Sequence, residues 1–246
     1  WFNKSHCMIP TPEYLNENSY RIYYSGRNSK NQSIITYADL IFRKGNVDVK
    51  YSNKPILELG KLGTFDDNGV TPSCVLNINN KQKLMYYIGW NPGSTTRMNL
   101  YGGLAIFNKQ KLKRYSEAPL LERTLTDPYI NTAPWVIKIK KNLFYMYYVS
   151  GKKWHHKDLP FYNLKIAKST DGINWERKGE VCIDFKNKNE CALARPYVIK
   201  EHKIFKMWFS YKSINTSYKI GYAESTDGLN WIRNDNFNTL SKSKQG

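Results

Sequence analysis

The sequence predicts an all-β fold, a β-propeller built from four-stranded antiparallel blades. Similar phrases recur along the chain at intervals of about 60 residues, and each interval holds four short segments of strand-like composition. Aromatic residues make up 15% of the 246 residues, with 19 Tyr and 7 Trp, and these residue types favour strands. No segment carries the sustained i, i+3, i+4, i+7 apolar pattern of an amphipathic helix.

The first element of each repeat is marked by a proline. Pro12, Pro72, Pro134 and Pro196 lie 60, 62 and 62 residues apart, in the phrases IPTPEYL, GVTPSCVL, TAPWVIKI and ARPYVIKE. Four matching prolines at such regular spacing rarely arise by chance. Each phrase is therefore predicted to be the first strand of a blade.

Three further elements follow each proline phrase. The second is an aromatic run, in YRIYYSG, LMYYIGW, FYMYYVSG and FKMWFSY, and the third reads SIITYADL, YGGLAIF, NLKIAKS and YKIGYAES. The fourth is short and variable, and it is visible in VDVKYSNKPIL, LKRYSEAPLL and WERKGEVCI. One propeller domain is predicted, with blades at residues 5–58, 64–122, 127–184 and 189–235. Residues 236–246 are predicted to form a polar tail or the start of a further blade.

One motif occurs twice, as STDGINWERKGE at 169–180 and STDGLNWIRND at 225–235. Each copy lies between the third and fourth strands of its repeat, where Asp-Gly supplies residues that tolerate positive φ in a tight turn. The Ser and Asp side chains can bond nearby backbone amides. Asp171 and Asp227 are therefore predicted to be structural corners, with Trp175 and Trp231 as their packing partners.

The charge balance limits the partners. The chain has 38 Lys+Arg against 20 Asp+Glu, a formal net charge of +18, which attracts polyanions such as acidic glycans or nucleic acid. No block of five or six basic residues occurs, and nothing resembles an RNA-recognition motif, so nucleic acid is not the expected partner. No run is long enough to span a membrane and no signal peptide is visible. The four cysteines form no C-x-x-C pair, which favours a reducing cytoplasm.

Acidic residues recur at one position of the repeat. Counting six residues back from each proline gives His6, Asp66, Pro128 and Glu190, while Asp67 and Asp127 are direct neighbours of this position. First strands of successive blades line one channel, so these groups are predicted to face a common axis. Two carboxylates across a pocket are the minimum for glycosidic bond chemistry, one as acid and one as base or nucleophile. Asp66, Asp67 and Glu190 are the predicted catalytic residues; loop-capping or lysine-pairing roles are the structural alternative.

The loops after the second strands offer groups that suit sugars. Flat aromatic rings stack on the apolar faces of sugars, and arginine binds carboxylate or phosphate in a bidentate manner. Adjacent histidines on a strand point to opposite sides, so no metal is expected, and no cofactor is expected. The predicted substrate-binding residues are His6, Arg27, Trp90, Asn91, Asp127, Trp154, His155 and Arg195.

The sequence resembles the five-bladed β-propeller glycosidases, the superfamily that includes glycoside hydrolase families 43, 32, 68 and 130. The resemblance lies in the S-x-D-G-x-x-W turns, the Tyr-Tyr second strands and the proline-marked first strands, and it covers nearly all of residues 5–235. The phrases FDDNGVTPS, YYIGWN, MYYVSGKKW and NECALARPYVI are more similar still to an uncharacterised glycosidase-like group of bacterial polysaccharide loci. Because only four blades can be recognised in the sequence, the resemblance implies a fifth blade beyond Gly246. A propeller that closes with four blades is the alternative.

The resemblance implies a carbohydrate-active enzyme, but two positions depart from it. Members of the superfamily place a catalytic Asp directly before the prolines of blades one and three, where this chain has Thr11 and Ala133. The family's acid, a Glu shortly before the proline of blade four, is matched loosely by Glu190. Hydrolysis, phosphorolysis and glycosyl transfer all stay open, on a bacterial surface glycan or an acidic or phosphorylated glycan. The alternatives are a non-catalytic glycan-binding module and an interaction scaffold.

Overall fold

The computed structural model describes residues 3–79, 82–109 and 111–237. The chain divides into two compact units, Trp1–Glu122 (unit 1) and Arg123–Gly246 (unit 2). All regular elements of the described residues are strands, as predicted. Of the predicted tail 236–246, residues 238–246 lie outside the described part of the chain.

Unit 1 contains the first two predicted repeats, here blades 1 and 2. Consecutive strands of each blade pair antiparallel, and the third strand of blade 1 meets the first strand of blade 2 in one parallel pair, Ser33 with Gly69. Blade 1 comprises β1 (Ser5–Asn16), β2 (Ser19–Arg27), β3 (Ser33–Arg43) and β4 (Asn46–Tyr51); blade 2 comprises β5 (Gly69–Asn79), β6 (Gln82–Pro92), β7 (Met98–Asn108) and β8 (Lys111–Arg114).

Unit 2 contains blades 3 and 4, built in the same way. Blade 3 comprises β9 (Asn131–Lys140), β10 (Leu143–His156), β11 (Leu159–Ser169) and β12 (Val181–Ile183); blade 4 comprises β13 (Glu190–Glu201), β14 (Ile204–Ser213), β15 (Lys219–Ser225) and β16 (Ile232–Arg233). Each predicted repeat is therefore a four-stranded antiparallel meander, the building unit of a propeller blade.

The aromatic second strands supply the cores. Tyr23 and Tyr87 are fully buried in unit 1, and Tyr147 and Tyr148 are fully buried in unit 2. Successive residues of a strand point to opposite faces of the sheet, and since Tyr147 and Tyr148 are both buried, both faces of this second strand are covered. Packing here also requires a glycine, because a Cβ at Gly103 would lie 2.3 Å from Cζ of Tyr87.

The first Asp-Gly corner has the predicted geometry. Oδ1 of Asp171 accepts hydrogen bonds from the backbone N–H groups of Ile173 and Asn174, each at 2.8 Å. Oγ of Ser169 accepts from the Gly172 N–H at 2.9 Å. Gly172 has φ of +77°, in the left-handed region that glycine adopts without strain. The aspartate thus supplies acceptors for amides that the turn leaves unpaired.

The second corner repeats these contacts. Oδ1 of Asp227 accepts from the N–H groups of Leu229 and Asn230, each at 2.8 Å. The indole Nε1 of Trp231 donates to the carbonyl of Gly228 at 3.1 Å, and its ring meets that of Tyr147 edge-on. The prediction that both aspartates are corners is confirmed, as is the packing role of Trp231.

Substituting Asp171 by asparagine is expected to lower the free energy of unfolding by about 0.5–1 kcal/mol at pH 7, because hydrogen bonds to a carboxylate are stronger than hydrogen bonds to a neutral amide. Burial alone would raise the pKa of Asp171, but hydrogen bonds from Asn174, Ile173 and Ser169 outweigh burial and lower this pKa to about 2. The unfolded chain has the ordinary pKa of about 3.9. The carboxylate therefore stabilises the fold above about pH 4, and this contribution is lost as the pH falls toward 2.

Thermal unfolding of the wild type and the Asp171→Asn variant between pH 7 and pH 2 measures this effect. The difference in melting temperature is expected to shrink as the pH falls below 4. Asp158→Asn, on the exposed β10–β11 hairpin, is the control and is expected to cost less than about 0.5 kcal/mol. A difference between wild type and Asp171→Asn that stays constant over this pH range would contradict the assigned role.

The described residues contain no helix that is long and apolar enough to cross a bilayer. The four cysteines are free thiols; Cys7 is exposed, and Cys74, Cys182 and Cys191 are buried.

Candidate functional site

Most of the predicted site residues lie at one edge of the blades. In each blade the start of the first strand pairs with the end of the second, as at Gly69 and Trp90 in blade 2. We term this edge, with the loop before the first strand and the loop after the second, the front edge. The Asp-Gly corners lie at the opposite edge, where Ser169 pairs with Phe144 near the start of β10.

Asp66 lies at the front edge of blade 2 and is enclosed by the protein, with a side chain only 1% exposed. Its Oδ2 accepts hydrogen bonds from Nε of Arg114 at 2.8 Å and from the Tyr87 hydroxyl at 2.9 Å. Its Oδ1 accepts from the Thr64 hydroxyl at 3.0 Å. The protein thus supplies donors to both oxygens, as a buried carboxylate requires.

Asp127 has the corresponding position in blade 3 and is fully buried. Its carboxylate accepts from Nζ of Lys165 at 2.8 Å, from the Ser150 hydroxyl at 2.8 Å and from the Tyr148 hydroxyl at 2.9 Å. Arg177 lies 3.7 Å away. Burial alone would raise the pKa of Asp127, but the hydrogen bonds from Lys165, Ser150 and Tyr148 outweigh burial and lower this pKa.

Glu190 in blade 4 is 3% exposed and is also paired with an arginine. Its two carboxylate oxygens accept from Nη1 and Nη2 of Arg233, at 2.9 and 3.0 Å, in a bidentate pair. The backbone N–H of Lys186 donates to Oε2 at 2.8 Å. Asp235 accepts a further hydrogen bond from Arg233 at 2.8 Å. The predicted recurrence of acids at one position therefore holds in blades 2, 3 and 4, and each acid is ion-paired.

The sequence interpretation missed the arginines that complete these pairs. Arg114, Arg177 and Arg233 lie in the fourth segments of their repeats, within KLKRYSE, WERKGE and WIRND. Each forms an ion pair with the acid of its own blade. One arginine retained in an otherwise variable segment is the signal that could have identified them.

Blade 1 has no such ion pair among the described residues. The aspartates of blades 2 and 3 each lie 21 residues before the tyrosine that they bind. The same spacing in blade 1 leads from Tyr24 back to Asn3, which is hydrogen-bonded to Tyr24. His6 is exposed, and its Nδ1 lies 2.8 Å from Oγ of Ser5. Asn3 rather than His6 thus corresponds to the acids, which corrects the register predicted from the prolines.

Asp67 differs from its neighbour Asp66. It is half-buried, and its Oδ2 accepts from the Gly63 N–H at 2.9 Å. Among the described residues, Oδ1 of Asp67 has no hydrogen-bond partner. One oxygen of this carboxylate is therefore not engaged by the residues that the structure describes.

Arg27, Trp90 and Asn91 come together at the front edges of unit 1. The guanidinium of Arg27 lies 5.7 Å from the centre of the Trp90 ring. The amide Nδ2 of Asn91 donates to the carbonyl of Thr64, on the loop that carries Asp67, at 3.2 Å. A cation, an aromatic ring, an amide and a carboxylate are thus grouped within one unit.

Trp154 and His155 lie on the β10–β11 hairpin of unit 2. Trp154 is half-buried and pairs with Pro160 across the hairpin, while His155 is exposed with its ring 6.3 Å from that of Phe161. Nζ of Lys153 lies 4.8 Å from the centre of the Phe161 ring. The front edge of blade 3 therefore combines aromatic rings with positive charge.

Arg195 is held in an unusual backbone conformation. It has φ of +54°, and Ala133, which also directly precedes a repeat proline, has φ of +49°. Left-handed backbone costs an L-residue roughly 1–2 kcal/mol. Both residues lie at interruptions of the pairing register, in β13 and β9. Such bulges re-aim side chains and are frequent beside functional sites.

No protein-family model matches the chain. Over 233 residues the chain is 32% identical to the uncharacterized protein Rv1502 of Mycobacterium tuberculosis strain H37Rv, covering 94% of this chain and 76% of that protein. A crystal structure of a thermostable family-43 glycoside hydrolase matches at a TM-score of 0.69 and 18% identity, covering 99% of this chain and 77% of that chain. The Cellvibrio cellulosa alpha-L-arabinanase, complexed with arabinohexaose, matches at a TM-score of 0.64 and 14% identity, covering 94% and 78%.

The identity to the mycobacterial protein shows a shared family, and the structural matches show the shared fold. The chain belongs to the family of the Mycobacterium tuberculosis protein Rv1502 and has the β-propeller fold of the glycoside hydrolases.

Proposed function

We propose that this chain is a carbohydrate-active enzyme that acts on a glycosidic linkage of a bacterial surface glycan or an acidic glycan. The reaction would be hydrolysis, phosphorolysis or glycosyl transfer. The net charge of +18 and the glycoside hydrolase fold of its structural neighbours support a carbohydrate, and an anionic one.

The observation that carries the proposal is the group of side chains at the front edge of blade 2. Asp67 has a carboxylate oxygen that no described residue engages, on a loop that Asn91 fixes through the Thr64 carbonyl. Trp90 is the neighbour of Asn91 in sequence and is half-buried. Indole rings stack on sugars, amides bind their hydroxyls, and carboxylates carry the proton transfers of glycosidic chemistry.

The contacts of the three proposed catalytic carboxylates distinguish their roles. Asp66 and Glu190 are enclosed, and arginines occupy their oxygens, so they support a role in holding the front edges together. Asp67 is the carboxylate that we propose acts on substrate, as the proton donor, and in phosphorolysis the attacking phosphate takes the place of the second carboxylate. Arg27, Trp90 and Asn91 are proposed to bind substrate in unit 1. In unit 2, the residues proposed to bind substrate are Trp154, His155 and Arg195.

Replacing Asp67 by asparagine tests the proposal. Turnover is expected to fall at least about 100-fold, the usual effect of removing a general acid or base, with the melting temperature within about 2 °C of the wild type. Turnover would be followed as phenol release from aryl glycosides, which hydrolysis, phosphorolysis and glycosyl transfer all produce, and as a change in chain length of purified bacterial polysaccharides, with and without phosphate. Asp48→Asn, at a half-buried acid of blade 1 paired with Arg43, is the control and should retain activity. Full turnover by Asp67→Asn would refute the catalytic role.

A second candidate function is a non-catalytic glycan-binding module. Thr11 and Ala133 carry no carboxylate where the resembled family has one, and Asp66 and Glu190 are held in ion pairs. In that case Asp67→Asn would keep its glycan affinity, Trp90→Ala would lose it, and no substrate would be turned over.

A further inference from the structure

Arg27 is a positive charge that has no acidic partner in the part of the chain that the structure describes. Among the described residues its one side-chain hydrogen bond runs from Nη1 to Oδ1 of Asn31, at 2.5 Å. Nε of Arg27 is buried and has no partner there. By contrast, Arg21 in the same strand is paired with Asp39 at 2.7 Å. Nη2 has no hydrogen-bond partner in the described part of the chain, so this end of the guanidinium can bind an oxygen of a carboxylate or phosphate.

The loop that follows Arg27 is held by several hydrogen bonds. Oδ1 of Asn28 accepts from the backbone N–H groups of Lys30 and Gln32, at 2.9 and 3.0 Å, and the Asn28 N–H donates to the Gln32 carbonyl at 3.0 Å. The Lys4 N–H donates to the carbonyl of Arg27 itself at 2.8 Å. Holding this loop limits the entropy lost when the Arg27 side chain orders on a ligand.

Trp90 is fixed beside this guanidinium. Its Nε1 donates to Oγ of Ser33 at 2.8 Å. Its indole lies directly over the backbone of Gly69, since a Cβ at position 69 would be 1.9 Å from Nε1. Ser33 pairs with Arg27 across the β2–β3 ladder and with Gly69 across the two blades of unit 1. These backbone pairs thus place the Arg27 guanidinium and the Trp90 indole next to each other.

We propose that Arg27 and Trp90 form a subsite for an anionic sugar, which rests on and specifies the proposed carbohydrate function. The carboxylate or phosphate of the sugar accepts a hydrogen bond from Nη2 of Arg27 and is attracted by the guanidinium charge. The apolar face of the same or the adjacent sugar ring stacks on Trp90. The ligand class is a sugar bearing an oxyanion, either a uronic acid or a phosphosugar.

Affinity for a matched pair of ligands tests the subsite. The probes are a hyaluronan hexasaccharide and its carboxyl-reduced neutral form, with glucose 6-phosphate and glucose as the phosphate arm, all titrated at 150 mM salt. We expect the wild type to bind the acidic member of at least one pair 10-fold or more tightly than the neutral member. The pair that shows the preference identifies the oxyanion as carboxylate or phosphate. Equal affinity within both pairs, or no binding of either acidic probe, overturns the subsite.

Arg27→Met is expected to reduce acidic affinity at least 10-fold and to leave neutral affinity within about twofold. Arg97→Met is the matched control, because it removes the same charge from an exposed residue of the neighbouring β6–β7 loop, and it should change acidic affinity less than threefold. Arg27→Lys keeps the charge without the planar fork and should fall between the two. Equal losses in Arg27→Met and Arg97→Met would show a general charge effect and overturn the subsite. Turnover of neutral glycans without acidic preference would overturn it while leaving the proposed enzyme intact.

Discussion

Replacing Asp127 by alanine is expected to lower the free energy of unfolding by about 3–5 kcal/mol, the cost of breaking a buried charge pair by removing one partner. The substitution leaves Lys165 and Arg177 as buried cations, with side chains only 10% and 7% exposed. It also leaves the hydroxyls of Tyr148 and Ser150 without their acceptor. Urea unfolding followed by circular dichroism measures the loss, and an unchanged slope with denaturant would show that the compactness of both states is retained.

The same blade offers a control. Glu176 pairs with Lys178, and both side chains are more than 60% exposed. Glu176→Ala is expected to cost less than about 1 kcal/mol, as exposed ion pairs do. An Asp127→Ala variant as stable as Glu176→Ala would refute the buried network.

Acid should weaken this network as well. Hydrogen bonds lower the pKa of Asp127 below that of the unfolded chain. Its stabilising contribution is therefore complete above about pH 4 and is lost as the pH falls below that value. The difference in the free energy of unfolding between wild type and Asp127→Ala is therefore expected to decrease as the pH falls below about 4.

The local features of this fold were predictable because short-range chemistry dictates them. The aspartates of the corners, Asp171 and Asp227, bond amides only two and three residues away. A sequence window of seven residues contains every group that such a turn needs. The blade repeat was equally visible, since each strand pairs with its neighbour in sequence.

The long-range pairs were not predictable in the same way. Asp66 lies 48 residues from Arg114, and Glu190 lies 43 residues from Arg233. A chain with 38 Lys and Arg residues offers many partners for each acid, and only the folded register selects one. The acids were therefore recognised as a recurring set while the reason for their recurrence, an ion pair within each blade, was missed.

The number of residues before the repeat proline does not reliably locate the front edge. The pairing of β1 with β2 is interrupted between Ser5 and Met8 and again between Met8 and Thr11. Each interruption shifts the count from the proline to the loop before the strand. Counting back 21 residues from Tyr24 leads to Asn3, whereas counting back six residues from Pro12 leads to His6, and the hydrogen bond between Asn3 and Tyr24 identifies Asn3 as the residue that corresponds to the acids.

The sequence predicts the residues of the Arg27–Trp90 subsite but not their arrangement in space. Arg27 and Trp90 lie 63 residues apart, and their sequence positions do not show that the indole rests over Gly69 beside the guanidinium. That contact depends on the parallel pair of Ser33 and Gly69. Such a pair joins two blades, and periodicity within a blade carries no information about it.

Asp66 and Arg114 are expected to show strong coupling in a double-mutant cycle. Asp66→Asn and Arg114→Met should each cost about 2–4 kcal/mol, because each leaves the other group buried without its full partner. The double variant should cost about 1–3 kcal/mol less than the sum of the two. The exposed pair Lys61 and Glu117, also in unit 1, is the control and should show coupling below about 1 kcal/mol.

The cycle also separates structure from catalysis at adjacent residues. If Asp66 holds the front edge, Asp66→Asn should melt earlier than the wild type but keep turnover within about tenfold when assayed well below its melting temperature. Asp67→Asn should do the reverse, with an unchanged melting temperature and turnover reduced at least about 100-fold. The opposite result would be stability losses at Asp66 and Arg114 that are purely additive, together with a loss of turnover in folded Asp66→Asn. This result would make Asp66 the reacting carboxylate and remove its structural role.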